Sequence, residues 1–407
     1  MSEHYRIFEG DVLDRLREMA PESIDCCITS PPYYGLRDYG IEPSLWGGKP
    51  DCRHEFGEQL RGSTRGGSGT PTDKNNRGED YARSSGRGEF CSVCGAWRGC
   101  LGLEPTISLY VQNIVEVFRE VRRVLKKQGT LWINIGDTYC STAPGTYGDP
   151  LRQTGILSGV SDACALSRGK FRPKTPKGLK PKDRCMIPAR VAIALCEDGW
   201  YLRDEIVWHK PNPMPQSVRD RTSPAHEMIY LLSRSKTYYY DQEAIREPLA
   251  PASILRLNQP GLQDQLGSTR GNGGTKTNGN MKAVVKGGRP GGRKFSSGDL
   301  ISGAGKVGSG VGEGLEDRNK RSVWSVMTQS YPDAHFATWP EQLVIPMILA
   351  GCPPGGIVLD CFAGSFTTIA VAIRYGRIGY GIERSPAYIE LGLKRLGRET
   401  VSLFGGP

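Results

Sequence analysis

Two strings of residues in this chain have the types and order to do chemistry. The first is Ile28-Thr29-Ser30-Pro31-Pro32-Tyr33, with Tyr34, Arg37, Asp38 and Tyr39 close behind. A planar exocyclic amine is a poor nucleophile, because its lone pair is delocalised into the ring. The Ser30 hydroxyl and the Pro31 carbonyl, accepting its two N–H protons, would draw it toward tetrahedral geometry. The proline pair stiffens the turn, since proline restricts itself and its predecessor. Tyr33 offers a flat face to a base, and a base held there must have left the duplex stack.

The second string is a strand ending in Asp360, the small-residue turn Cys361-Phe362-Ala363-Gly364-Ser365-Phe366-Thr367-Thr368, a helix, and a strand ending in Glu383. A turn of small residues lets a ligand approach the backbone. An acid at the end of the next strand can accept hydrogen bonds from both hydroxyls of a ribose. A third group pairs Cys52-Arg53-His54 with Cys91-Ser92-Val93-Cys94-Gly95. Cys52, His54, Cys91 and Cys94 are a donor set suited to tetrahedral zinc in a structural role, with Cys100 as a rival fourth ligand. Asn134, Gly136 and Asp137 either line the site or cap a turn. Trp208-His209-Lys210-Pro211-Asn212-Pro213 could meet a target base or simply end a strand. Ser217, Arg219, Arg221 and Thr222 suit phosphate contacts, which add affinity without reading sequence.

These strings need a scaffold. Residues 5–9 and 23–29 read as buried strands around a short helix over 12–19, and each strand ends in a turn. That is the rhythm of an open parallel sheet, which binds ligands beyond the carboxyl ends of its strands. Apolar residues at helical spacing predict a helix over 107–127, started by Thr106 and stopped by Gly129. A strand over 130–135, a helix over 186–198 and strands over 201–209 and 226–233 follow. Thr237-Tyr238-Tyr239-Tyr240 reads as a third short strand or edge. The last sixty residues predict a strand at 357–360, a helix over 367–375, a strand over 378–383 and a helix over 386–397.

Composition limits what this scaffold can be. The chain has 407 residues and a net charge of +10. Residues 141–184 carry +6 and residues 251–322 carry +7, so the rest is slightly acidic. Basic segments on an acidic body point to a polyanion gripped by loops. Residues 61–89 and 251–322, rich in Gly and without apolar periodicity, read as flexible inserts. No apolar run reaches the ~18–20 residues of a membrane span, and no export signal is visible. The twelve cysteines sit mostly singly. A cytoplasmic protein with reduced thiols is therefore expected.

Taken together, the two strings resemble the amino-methylating DNA methyltransferases, which use S-adenosylmethionine. Ser30-Pro31-Pro32-Tyr33 resembles their catalytic loop and Asp360 to Ser365 their cofactor loop. Glu383 resembles their ribose-binding acid, and Gly10-Asp11 the turn near the cofactor adenine. The resemblance covers roughly residues 1–60, 100–245 and 320–400. The catalytic loop precedes the cofactor loop, as in the circularly permuted beta class. The fold so implied is α/β, Rossmann-like and circularly permuted, with flexible basic inserts and a small zinc-binding insert. It requires the Glu383 strand to lie beside the Gly10-Asp11 strand.

The implied division is a catalytic-loop half over 1–50, the zinc-binding insert over 51–100 and a continuation of the core over 101–245. A Gly-rich target-recognition insert over 246–322 and a cofactor half over 323–407 complete it. Catalytic residues would be Ser30, Pro31, Pro32 and Tyr33. Cofactor contacts would be Asp11, Asp360, Phe362, Ala363, Gly364, Ser365, Thr367 and Glu383. Phe336, Thr338 and Trp339 in the preceding segment would join them. The implied reaction is methyl transfer to N4 of a flipped cytosine in duplex DNA. Ser in the loop is commoner among cytosine enzymes of the family, and adenine N6 is the alternative. An inactive DNA-binding relative is a third reading, and a cognate restriction endonuclease is an implied partner. The family usually has glycine where this chain has Phe366. If that position needs a positive φ, phenylalanine is costly there.

Overall fold

The structure, a computed structural model, describes residues 4–36, 41–56, 88–140, 178–257, 317–329 and 339–404. Arg37, Asp38, Tyr39, Phe336, Thr338 and most of the two basic segments lie outside the described residues. The chain begins with β1 (Tyr5–Glu9), α1 (Val12–Glu18) and β2 (Ile24–Thr29), followed by short strands β3 (Ser44–Trp46), β4 (Gly88–Phe90) and β5 (Trp97–Gly99). Next come α2 (Ile107–Val124), β6 (Leu125–Ile135), α3 (Ile187–Glu197), β7 (Tyr201–His209) and β8 (His226–Ser233). A single 3-10 turn (Glu243–Ile245) leads to β9 (Glu247–Pro248) and α4 (Pro251–Leu257). After these lie β10 (Asp317–Arg318), β11 (Val323–Ser325), α5 (Glu341–Gly351), β12 (Ile357–Asp360), α6 (Thr367–Arg374), β13 (Ile378–Glu383) and α7 (Pro386–Phe404).

Eight strands form one sheet in the order β1-β13-β12-β2-β6-β8-β7-β11. Its pairings are parallel except around β8, which runs antiparallel to both neighbours. The required neighbours are in place: β1 and β13 are parallel, with Glu9 opposite Glu383. Side chains alternate across the pleat, so each central strand feeds two cores. Cys27 and Leu131 enter a core with α1, α2 and α3, while Cys26, Ile28 and Trp132 enter one with α5 on the other face. Helices thus cover both faces, and the carboxyl ends of β1, β13, β12, β2 and β6 open at one rim.

Capping explains how two helices begin. The Asp11 carboxylate accepts from the Leu13 amide at 2.9 Å, and the Thr106 hydroxyl from the Leu109 amide at 3.2 Å. Other expectations need correction. α2 ends at Val124, because strand pairing takes over at once: Leu125 is opposite Ile24, and Gly129 lies inside β6. Residues 237–240 form no strand. The Tyr239 amide donates to the Gln128 carbonyl at 2.9 Å, while Tyr238 and Tyr240 pack on the second core. The segment 251–322 is regular at both ends. There α4 forms, and β10 pairs antiparallel with β9, flanked by the ion pairs Arg246–Asp317 at 2.7 Å and Arg318–Glu247 at 3.0 Å. Charge pairing of that kind leaves no apolar period to read.

Candidate active site

The strand ends surround one cavity of about 390 Å³. Ser30, Pro31, Pro32, Tyr33, Asp11, Asp360, Phe362, Ala363, Gly364, Ser365, Thr367, Glu383 and Trp339 all line it. The structure therefore joins the two strings that the sequence holds more than three hundred positions apart.

On one side, β2 delivers the loop Ser30 to Tyr33. The Tyr110 hydroxyl donates to the Pro32 carbonyl at 2.9 Å, and the Gly35 amide to the Gly102 carbonyl at 2.8 Å. The buried Tyr34 ring packs on Tyr110. Beneath this clamp, buried Glu104 accepts from the Gly102 amide and from Asn113 at 2.8 and 3.0 Å. Burial raises the Glu104 carboxyl to about 7 against these bonds. Gly136 has no room for a side chain: a Cβ there would lie 2.6 Å from the Tyr33 ring.

The Tyr33 hydroxyl sits among oxygens. The Ser30 hydroxyl donates to it at 3.3 Å, and it faces Asn134 Oδ1 at 2.9 Å and Glu227 Oε2 at 3.0 Å. The Asn134 amide nitrogen donates to the Met228 carbonyl, which turns its oxygen toward Tyr33. Lys210 pairs with the other oxygen of Glu227 and lies 4.2 Å from the Trp208 ring. Of the residues left open in the sequence, Asn134 and Trp208 line the cavity. Asp137 instead caps a turn, accepting from Thr138 and Ile187 amides and pairing with Arg184 at 2.7 Å. His209 bonds Ser325 at an exposed strand end. Arg221 lies 3.9 Å from the Tyr139 ring. Glu227 was not legible in sequence; an acid second in a strand has no distinguishing spacing.

The opposite side is the β12–α6 and β13–α7 corner. Asp360 is buried and accepts from Thr29 at 2.7 Å, Thr368 at 2.6 Å and the Phe362 amide at 3.1 Å. Burial outweighs these bonds and raises its carboxyl to about 6. It ties the two loops together. Glu383 accepts from the amides of Gly364, Arg384 and Ser385 at 2.8–2.9 Å, and burial raises its carboxyl as well. Asp11 caps α1 with one oxygen; the other meets Ser44 and Arg384. Phe366 does occupy the left-handed region, at φ 61° and ψ 30°. Its ring is fully buried against Gly392, where a Cβ would come within 2.2 Å.

Beside the cavity, β3, β5 and β4 form a small antiparallel sheet. The ligand atoms of Cys52, His54, Cys91 and Cys94 lie within 4.8 Å of one another. Tetrahedral zinc spaces such atoms by roughly 3.5–3.8 Å, so this donor set fits the ion. Cys100 stands apart from the cluster: it lines the main cavity and its thiol donates to the Ile41 carbonyl.

An open α/β sheet with an acid-ended crevice beside a proline-stiffened acceptor loop is the architecture of a nucleotide-handling enzyme. The family model described as DNA methylase, N6_N4_Mtase, matches residues 24–394, and the chain belongs to this family of N6/N4 amino DNA methyltransferases. It is 34% identical to the type II methyltransferase M.Cfr9I of Citrobacter freundii, over 98% of this chain and 89% of that protein. It is 60% identical to the DNA adenine methyltransferase YhdJ of Escherichia coli over 62 residues, 15% of this chain and 21% of that protein. Among solved structures, the PvuII DNA methyltransferase (cytosine-N4-specific) aligns with a TM-score of 0.46 and 17% identity, covering 97% of this chain and 87% of that one. Among the described residues, no helix is long and apolar enough to cross a membrane.

Proposed function

We propose that this methyltransferase moves a methyl group from S-adenosylmethionine to N4 of a cytosine flipped out of duplex DNA. The observation that carries this reading is the proton inventory at Tyr33. Ser30 and Tyr33 each bring one hydroxyl proton. Ser30 spends its proton on Tyr33, which itself faces Asn134 Oδ1 and Glu227 Oε2. The Ser30 oxygen therefore meets a ligand as an acceptor, beside the Pro31 carbonyl. An exocyclic amine, with two N–H donors, is the fitting occupant.

S-adenosylmethionine, when bound, supplies an electrophilic methyl group. Glu383 would hold its ribose hydroxyls, and the backbone of Ala363, Gly364 and Ser365 would allow close approach. Phe362 and Trp339 would give apolar walls, with Asp11 and Thr367 at the margins. Asp360 would act by fixing the loop. Phe336 and Thr338 are carried over from the resemblance alone. Ser30 and the Pro31 carbonyl would hold the amine, and Tyr33 would steady the base. Cys52, His54, Cys91 and Cys94 would hold a structural zinc in the 51–100 insert.

The motif order supports a circularly permuted core in the segments 1–50, 101–245 and 323–407. The basic segments 141–184 and 246–322 would provide the DNA surface. The type II relatives support a role in restriction–modification, with a cognate endonuclease as partner, in a bacterial cytoplasm. The local identity to an adenine enzyme favours adenine N6 as the second reading.

The test is to incubate the protein with S-adenosylmethionine and unmethylated genomic DNA, then analyse nucleosides by mass spectrometry. N4-methylcytosine is expected, and Ser30→Ala should cut turnover while leaving cofactor binding largely intact. N6-methyladenine would keep the mechanism and change the base. No methylated base from a folded sample would leave an inactive DNA binder.

A further inference from the structure

We propose that Glu227 terminates a proton path from the catalytic loop and takes up the proton that the amine sheds on methylation. This rests on the methyltransferase reading above. The amine lone pair forms the new N–C bond, and the electrons of the broken C–S bond stay on sulfur. The nitrogen is then cationic and must release one N–H proton.

Of the described oxygens bonded to the Tyr33 hydroxyl, from Ser30, Asn134 and Glu227, that of Glu227 belongs to a carboxylate. Asn134 is a neutral amide and cannot hold a proton at neutral pH. A connected line of hydrogen bonds joins the two ends: Ser30 Oγ to Tyr33 Oη at 3.3 Å, and Tyr33 Oη to Glu227 Oε2 at 3.0 Å. Ser30 accepts the amine proton as its own passes to Tyr33, and the phenol proton passes to Glu227. The other oxygen of Glu227 is pinned by Lys210, which in turn rests on the Trp208 ring. That pairing aims its second oxygen at Tyr33. The Glu227 side chain is 19% exposed, so the proton can leave to solvent afterwards.

A purely structural Glu227 would brace Lys210 and do nothing else, so the test must read basicity. Single-turnover methylation is measured on a preformed complex of protein, S-adenosylmethionine and duplex DNA. Glu227→Gln keeps the shape and the Lys210 contact; its rate should fall on the order of 10²-fold or more, the usual weight of a positioned proton acceptor. Cofactor affinity by calorimetry should not change. Glu227→Ala should lose rate similarly, and added formate should restore part of it by occupying the vacated space. Tyr33→Phe keeps the ring but cuts the path, so it should lose rate without formate rescue. A Glu227→Gln rate close to wild type, or a Glu227→Ala defect that formate leaves untouched, overturns the proposal. If the wild-type protein itself yields no methylated base, the methyltransferase reading falls and takes this one with it.

Discussion

Phe366 holds a left-handed backbone that costs most residues roughly 1–2 kcal/mol, and its buried ring is what offsets that cost. Cutting the side chain to alanine removes the ring and leaves a cavity, at about 3–5 kcal/mol. It relieves none of the backbone strain, because alanine also carries a Cβ. Phe366→Gly loses the same ring but releases the strain. It should therefore be the more stable of the two variants by about 1 kcal/mol, the reverse of the usual order within secondary structure. The partner Gly392 sharpens the argument. In the wild-type chain, Gly392→Ala drives a Cβ to 2.2 Å from the Phe366 ring. The overpacking costs roughly 1–3 kcal/mol, against about 1 kcal/mol gained in helix propensity. In the Phe366→Gly background the ring is gone, and the same change should stabilise by about 1 kcal/mol. The assay is urea unfolding, followed by circular dichroism, of the four proteins of this double-mutant cycle and of Phe366→Ala. Equal effects of Gly392→Ala in both backgrounds, or alanine outlasting glycine at 366, would falsify the account.

Two further outcomes are expected. Elemental analysis should find about one zinc per chain, and Cys94→Ala should abolish it; chelation should lower the melting temperature, since binding energy at a structural site is folding energy. Glu104 is raised to about 7 from 4.5, so the folded chain keeps a proton there that the unfolded chain has released. Stability from this group is full below about pH 4.5 and is lost as pH rises through about 7. The span is worth at most about 3 kcal/mol. Urea unfolding at pH 5 and pH 8 should show it, and Glu104→Gln should flatten the difference.

The strands were legible because β2, β6, β8 and β12 each carry a short apolar run, such as Cys26 to Ile28, Leu131 to Ile133 and Met228 to Leu232, as strands buried on both faces must. The helix end at Val124 was misplaced by three residues. Local propensity favours continuing to 127, but pairing of Leu125 with Ile24 is a long-range matter. Tyr238 and Tyr240 have β-prone rings that here serve as a lid on the second core. In the site, residues that belong to a contiguous string, Ser30 to Tyr33 and Asp360 to Ser365, were visible. Glu227 and Gly392 were not. Each acquires its role from partners distant in sequence, Tyr33 and Lys210 for Glu227 and Phe366 for Gly392, and nothing in its own neighbourhood announces them. Phe366 stood between: the sequence flagged the position, and only the packing against Gly392 explains the residue.

The hydrogen bond from Thr29 to Asp360 closes a span of 331 positions. At ribosomal rates of about 5–20 residues per second, that span takes roughly 15–65 s to synthesise. Throughout that interval β2 lacks β12, with β6 as its one neighbour once residue 135 has been made, and β1 has no neighbour in the sheet at all. A nascent chain thus carries an open, apolar strand edge for much of its birth, the kind of surface that chaperones hold and that aggregation exploits. The same delay is a safeguard for the cell: both halves of the cavity come together only after residues 357–383 have emerged. Partial chains stalled before that point would carry the acceptor loop without the crevice beside it.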